Sequence, residues 1–238
     1  VQAWSYSDVN DGYREIVSQG NSGGCCAYFI GPQADGKMRV MHSWQGLDVN
    51  YPFGQWVNTT VVKNDNGTKL FLNGELVAET SSTELPSDKP FYMGVQYNGT
   101  TEHWNGLVDE VRFWNIARGQ ELIQSDLYEE LSGNEDGLIA YWNFNESEGN
   151  TLTDQTANGN HGTIYGAAWT NSFIYNVEYS LLDSVAATAF THSGLTNYNE
   201  YFYKVSAVDD QNRESAYSNE VSAIPFTGTN DHSLSFDG

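Results

Sequence analysis

The chain has 238 residues, of which 39% are hydrophobic and 14% aromatic, enough to build a substantial core. Its 31 acidic and 10 basic residues give a formal net charge of -21. This charge repels nucleic-acid phosphates and anionic lipid, so neither nucleic acid nor membrane insertion is expected. No segment approaches the roughly 18 apolar residues that a membrane-spanning helix requires.

Short segments of alternating apolar and polar residues, separated by Gly- and Asn-rich turns, run from residue 1 to residue 113. This pattern predicts an antiparallel β-sandwich or jelly roll. Asn73-Gly74 predicts a tight hairpin turn, because both residues tolerate positive φ. One amphipathic helix is predicted over residues 119–131, where leucine and isoleucine side chains recur at helical spacing.

The segment from His103 to Asn115 places a carboxylate within an apolar strand. With a period of two residues, Asp109 shares the inner face of this strand with Val111 and Phe113. A buried carboxylate needs a cation or several hydrogen-bond donors. Two interpretations remain open: Asp109 accepts backbone N–H groups near the strand end, or it is a calcium ligand on the rim of the sandwich.

Three motifs suggest a family. They are Leu107-Val108-Asp109-Glu110-Val111-Arg112-Phe113-Trp114-Asn115, Gly54-Gln55-Trp56 with its following Asn73-Gly74 hairpin, and Tyr141-Trp142-Asn143-Phe144. Together they resemble the laminin-G-like, concanavalin A-like jelly-roll domains of large extracellular proteins. The resemblance implies an all-β, antiparallel jelly-roll sandwich with one short helix over residues 1–169, with its first strand missing.

Residues 170–225 resemble the second half of a fibronectin type III module. The motif runs from Leu195 through Tyr201-Phe202-Tyr203-Lys204-Val205 to Asp209. A complete sandwich of that type takes about 100 residues, so we predict a partial, smaller β-unit here.

Residues 226–238 are predicted to be a linker followed by a strand. Ser233-Leu234-Ser235-Phe236-Asp237-Gly238 resembles the opening strand of the jelly-roll family, which belongs ahead of Val1. We therefore expect Leu234, Ser235 and Phe236 to be the first strand of a next domain or a donor strand that pairs head to tail with an adjacent copy or repeat. Asp237 is the predicted co-ligand of Asp109 for a Ca²⁺ ion.

Catalytic interpretations have little support. Glycosidases need two carboxylates that flank one bond, but Asp109 and Glu110 are consecutive and point to opposite faces of a regular strand. The five histidines are scattered. Asp154, Asn158 and Asn160 lack the full calcium-loop pattern, which favours a hydrogen-bonded Asx-turn.

The sequence therefore predicts a non-catalytic extracellular or cell-surface module, one repeat of a large structural, adhesive or filament-forming protein. Its predicted partners are further copies or repeats of itself, glycans or cell-surface proteins. The alternative is a carbohydrate-binding accessory module of a secreted glycan-degrading enzyme. Trp44, Tyr51 and Tyr97 are candidates for stacking on sugar rings, although core packing is the default role of an aromatic side chain.

Overall fold

A computed structural model describes residues 1–21, 26–41, 46–81 and 87–170, and shorter stretches (182–187, 189–196, 199, 201–211, 213, 215, 218 and 221–225) beyond them. The chain divides into two compact units, Val1–Asn171 and Ser172–Gly238. Within the described residues, no helix is long and apolar enough to cross a bilayer.

Antiparallel strands make up nearly all of the regular structure. Their bounds in chain order are β1 (Gln2–Tyr6), β2 (Val17–Gly20), β3 (Cys26–Pro32), β4 (Met38–Met41), β5 (Trp56–Asn64), β6 (Gly67–Leu72), β7 (Glu75–Thr80), β8 (Phe91–Met93), β9 (Leu107–Trp114), β10 (Leu138–Trp142), β11 (Thr151–Leu152), β12 (Gly162–Thr163), β13 (Tyr201–Tyr203) and β14 (Val221–Ala223). One helix, α1, spans Gln120–Ser125.

Two main sheets form the sandwich of the first unit, and β11 and β12 pair as a separate two-stranded sheet. The larger has the strand order β10-β9-β1-β5-β6-β7, and the smaller has the order β4-β3-β2-β8. Their facing side chains, among them Val17, Ile30, Val40, Val61 and Leu70, form one hydrophobic core. This arrangement confirms the predicted all-β antiparallel jelly-roll sandwich with one short helix.

The Asn73-Gly74 turn behaves as the sequence predicts. Asn73 has φ of 48° and Gly74 has φ of 79°, both in the left-handed region. The turn sets the register of β6 against β7, with Leu72 opposite Glu75. The side chain of Asn73 also accepts a hydrogen bond of 2.8 Å from the backbone N–H of Asn58, which attaches the turn to β5.

Strand β9 contains a bulge that the period of two residues does not predict. Gln2 of β1 pairs with Arg112, but Trp4, two residues later, pairs with Asp109, so β9 has one extra residue in this interval. Glu110 lies at the bulge with φ of 50°. Directly paired residues point to the same face, so Asp109 and Arg112 lie on the face of Trp4, opposite the core.

Arg112 joins this outer face to the segment that follows α1. Its side chain is only 1% exposed. Nη1 donates to the carbonyl of Asp126 at 2.7 Å, and Nη2 donates to the carbonyl of Glu129 and to Glu110 Oε2, the latter at 2.6 Å. The Nε1 of Trp4 donates to the carbonyl of Leu127 at 3.1 Å. These bonds anchor residues 126–129 to the larger sheet.

The helix is shorter than the predicted range of 119–131. It ends at Ser125, and the following residues continue as turns. Arg112 binds two carbonyls of these residues as a tertiary partner, so they need no further turn of helix. Of the apolar residues predicted to share one face, Ile123 and Leu127 are buried, whereas Leu122 is exposed.

In the second unit, the described residues include β13 paired with β14 in antiparallel register. Tyr201 lies opposite Ala223, and Tyr203 lies opposite Val221. The fibronectin type III-like interpretation of residues 170–225 stays a prediction. The predicted donor residues Leu234, Ser235 and Phe236 lie outside the described residues.

Replacing Arg112 tests the importance of its anchor. Arg112→Met keeps an aliphatic chain but leaves Glu110 without its cation and two carbonyls without their donor. We expect the free energy of unfolding to fall by about 3–5 kcal/mol, as for other broken buried pairs. Urea denaturation measures this change. Lys69→Met is the control, because Lys69 and Glu79 form an exposed ion pair, and it should cost at most about 1 kcal/mol. Equal losses of unfolding free energy in the two variants would show that Arg112 is not an important anchor.

Candidate functional site

Asp109 does not point into the core among Val111 and Phe113, as the sequence analysis expected. The bulge at Glu110 places it beside Trp4 on the outer face of the larger sheet. Its Oδ1 accepts one hydrogen bond, 2.8 Å long, from the backbone N–H of Glu110. Burial, followed by the charge of Glu110, raises the pKa of Asp109 to about 7. The carboxylate is therefore half-buried and poorly compensated, which is consistent with either of the predicted roles.

The described residues do not assemble a calcium shell around Asp109. No group of three or more His, Cys, Asp or Glu side chains able to hold a metal is found in the described part of the chain. Neighbouring Glu110 is already bound by Arg112 and by the hydroxyl of Tyr141. Asp237, the predicted co-ligand, lies outside the described residues, so calcium binding stays a prediction.

Asp154 forms the predicted Asx-turn. Its Oδ1 accepts hydrogen bonds from the backbone N–H groups of Tyr141 and Thr156, and its Oδ2 accepts from the Thr156 hydroxyl and the N–H of Asn160. These donors lower the pKa of Asp154 despite the opposing effect of burial. Both oxygens are engaged by the protein itself, which explains the carboxylate as a structural element of the 154–160 turn.

The structure also brings together two carboxylates that are far apart in the sequence. A single atom, Arg39 Nη2, donates to Glu15 Oε1 at 2.7 Å and to Glu102 Oε2 at 3.0 Å. Burial raises the pKa of Glu15 well above its usual range, against the opposing charge of Arg39. The side chains of Arg39 and Glu15 are 1% and 0% exposed, whereas that of Glu102 is 22% exposed. A soluble substrate therefore does not reach Glu15, and the two carboxylates cannot act on it together.

An open cleft of about 510 Å³ lies at one end of the sandwich. This volume is within the range of about 300–1,000 Å³ that small-ligand sites occupy. Strands of both sheets and the segment after β9 contribute to it. Its apolar lining includes Val1, Tyr28, Met41, Val61, Phe113 and Trp114, and its polar lining includes Gln19, Lys63, Asn64, Asp65, Ser87 and Arg118.

The cleft combines half-buried aromatic rings with polar groups at its edge. Phe113 and Trp114 are both half-buried. Asn64 and Asp65 come from the turn between β5 and β6, where the side-chain Oδ1 of Asn64 accepts the backbone N–H of Asn66 at 2.8 Å. Apolar rings with hydrogen-bonding groups around them suit a ligand that has both apolar faces and hydroxyl groups.

Arg118 and Trp114 form one end of the cleft. The Arg118 guanidinium carbon lies 4.1 Å from the centroid of the Trp114 ring, a cation–π contact. Arg118 Nη2 donates to the carbonyl of Leu122 and to the carboxylate of Asp126. Arg118 Nη1 and Trp114 Nε1 are buried donors without an acceptor among the residues that the structure describes.

Local sequence patterns do not predict this cleft, because its lining comes from separate segments of the chain. Of the three aromatic residues predicted as candidates for sugar stacking, Tyr51 is 2% exposed and belongs to the core. Tyr97 is not among the cleft residues, and Trp44 lies outside the described residues. Without the pairing of the two sheets, the strand pattern alone does not bring Tyr28 and Trp114 together.

Comparisons with known proteins agree with the fold. The family model described as the concanavalin A-like lectin/glucanases superfamily matches residues 1–124, just over half of the chain. A candidate carbohydrate-binding protein from Bacteroides ovatus has a similar structure, with a TM-score of 0.56 and 18% identity, over 67% of this chain. The match spans about half, 49%, of that structure, and at this identity it shows the fold alone.

A sialidase from Trypanosoma rangeli is a more distant match. It has a TM-score of 0.38 and 12% identity, over 52% of this chain and 21% of the sialidase. No argument about this chain rests on so low a score. No curated protein sequence gives a match.

The raised pKa of Asp109 predicts a specific pH dependence. Its folded pKa of about 7 exceeds the ordinary value of 3.8, so its stabilising contribution is complete below about pH 4 and is lost as the pH rises through about 7. Asparagine does not ionise, so Asp109→Asn should not lose this stability as the pH rises. In a chelating buffer, we expect the variant to exceed the wild type in unfolding free energy by about 2 kcal/mol at pH 8, after allowance for partial exposure, and by far less at pH 5. A difference that does not vary with pH would contradict the assignment.

The same variant tests calcium at Asp109. Ca²⁺ takes six to eight oxygen ligands, so a bound ion would stabilise the ionised carboxylate. We expect chelator to lower the melting temperature of the wild-type chain and to leave that of Asp109→Asn unchanged. Asp8→Asn, an exposed aspartate elsewhere, is the control. Calorimetry that detects no calcium binding to the full chain would exclude the site.

Proposed function

The chain belongs to the concanavalin A-like lectin/glucanases superfamily, and we propose that it is a non-catalytic glycan-binding module of an extracellular or cell-surface protein. The cleft between the ends of the two sheets carries this proposal. It has the volume of a small-ligand site, and it places aromatic rings beside amide, carboxylate and ammonium groups. Of the two roles that the sequence predicts, we therefore favour carbohydrate binding over a purely structural role.

The small number of carboxylates in the cleft lining supports a binding role over hydrolysis. Glycoside hydrolysis by the usual mechanisms uses two carboxyl groups, about 5–10 Å apart, on either side of the bond that is cleaved. Among the described residues that line the cleft, Asp65 is the one carboxylate. The carboxylates of Glu15 and Glu102 both bind buried Arg39, and neither residue lines the cleft. We therefore assign Asp65 to hydrogen bonding with sugar hydroxyl groups.

A second proposal concerns the same cleft. Its apolar lining, with Tyr28, Met41 and Phe113, also suits the side chains of Leu234 and Phe236 if an adjacent copy or repeat donates its C-terminal segment. Such a head-to-tail contact does not close into a ring and would build a filament. This is the adhesive or structural repeat that the sequence predicts, and in that case strand and glycan compete for one site.

Binding of soluble glycans tests the first proposal. On an array of plant, bacterial and animal glycans, the full chain should bind a defined subset, and calorimetry should give its affinity. Asn64→Ala and Asp65→Ala should each weaken binding about tenfold, the equivalent of one lost polar contact of 1.4 kcal/mol. Asp8→Ala, an exposed residue away from the cleft, should not change it.

The competing proposal uses a synthetic peptide of residues 233–238 as the probe. If the cleft binds glycan, the peptide should neither bind at micromolar concentration nor displace the glycan. Binding of the peptide without any glycan binding would instead support strand donation. Deletion of residues 233–238 should then abolish self-association.

A further inference from the structure

The charge of the cleft differs from that of the whole chain. Acidic residues outnumber basic residues by 31 to 10 overall, yet the cleft lining includes two cations, Lys63 and Arg118, and one carboxylate, Asp65. Asp126, which pairs with Arg118, makes the local charge balanced rather than acidic. At physiological ionic strength, charges farther than about 8 Å are largely screened. A bound ligand therefore experiences these local groups more than the net charge of the protein.

Two hydrogen-bond donors at one end of the cleft lack acceptors. Trp114 Nε1 and Arg118 Nη1 are both buried, and neither has a partner in the described part of the chain. Asp126 and the Leu122 carbonyl engage Nη2 of Arg118 and leave Nη1 available. Since the guanidinium lies against the indole ring at 4.1 Å, both donors belong to one compact unit.

Buried donors without acceptors are unfavourable, and an acceptor that reaches them gains more than it would at a solvated group. An anionic oxygen is the strongest such acceptor, because the hydrogen bond is then assisted by the charge of the guanidinium. Both donor atoms are buried, so a ligand reaches them only when side chains at this end of the cleft move. Asn115 and Ile116, which also line the cleft, are exposed.

We propose that the cleft recognises acidic saccharides, with an anionic group of the sugar accepting hydrogen bonds from Arg118 Nη1 and Trp114 Nε1. This inference rests on the proposed glycan-binding function and specifies its ligand class. Lys63, at the edge of the cleft, adds a second positive charge. A uronic-acid carboxylate and a sulfate ester both supply the required oxygen acceptors.

Two ligands of the same shape, one charged and one neutral, show how much the charge of the ligand contributes to its affinity. Calorimetry of the full chain should compare trigalacturonic acid with its methyl ester, which has the same rings and no charge. We expect the acid to bind about tenfold more tightly, and raised salt should reduce that preference. A sulfated galactose trisaccharide, tested against its unsulfated form, shows whether sulfate replaces carboxylate.

Trp114→Phe is the decisive variant, because it removes the N–H donor and keeps a smaller aromatic ring under Arg118. It should lose most of the preference for acid over ester, with little change in the affinity for the ester. Arg118→Lys keeps the charge and should lose part of the preference. Asn64→Ala is the control within the cleft, and it should weaken both ligands equally.

The outcomes distinguish this inference from the function on which it rests. Equal affinity for acid and ester, or an unchanged preference in Trp114→Phe, overturns the acidic ligand class while glycan binding stands. Binding of no saccharide, acidic or neutral, overturns both. Circular dichroism of each variant confirms that a lost preference is not a lost fold.

Discussion

The fold of the first unit depends on the buried guanidinium of Arg112. It holds carbonyls of two residues after α1 and the carboxylate of Glu110 at once, so the outer face of the larger sheet is covered by polypeptide. To bring Arg112 onto the face of Trp4, strand β9 includes an extra residue, and Glu110 accepts a positive φ. The bulge restores the inner orientation of Val111 and Phe113, which join the core cluster. Phe113 thereby reaches the cleft.

Local patterns in the sequence were sufficient for the strands, the Asn73-Gly74 turn and the antiparallel sandwich, because each depends on neighbouring residues. Features made by tertiary contacts were not accessible in this way. The bulge has no glycine to signal it, since Glu110 itself takes the left-handed conformation. The early end of α1 follows from hydrogen bonds to Arg112 on a distant strand.

The candidate site shows the same division more sharply. Asp109 was recognisable as an unusual carboxylate, but its orientation required the register of β1 against β9. The cleft and the Glu15–Arg39–Glu102 cluster join segments that no local pattern connects. Such sites depend on topology, in which the order of strands across a sheet decides which side chains meet.

The buried arginines belong to internal ion pairs. The side chains of Arg39, Arg112 and Arg118 are 1%, 1% and 8% exposed, and each pairs with a carboxylate, that of Glu15, Glu110 or Asp126. Burial therefore takes charges of both signs away from the surface and leaves the formal net charge of -21 unchanged. To an approaching macromolecule, the chain is therefore a polyanion, as its composition indicates. Encounter rates between copies should rise with ionic strength as this repulsion is screened. The internal ion pairs, shielded from the electrolyte, should respond to salt far less, so colloidal behaviour and fold stability are decoupled.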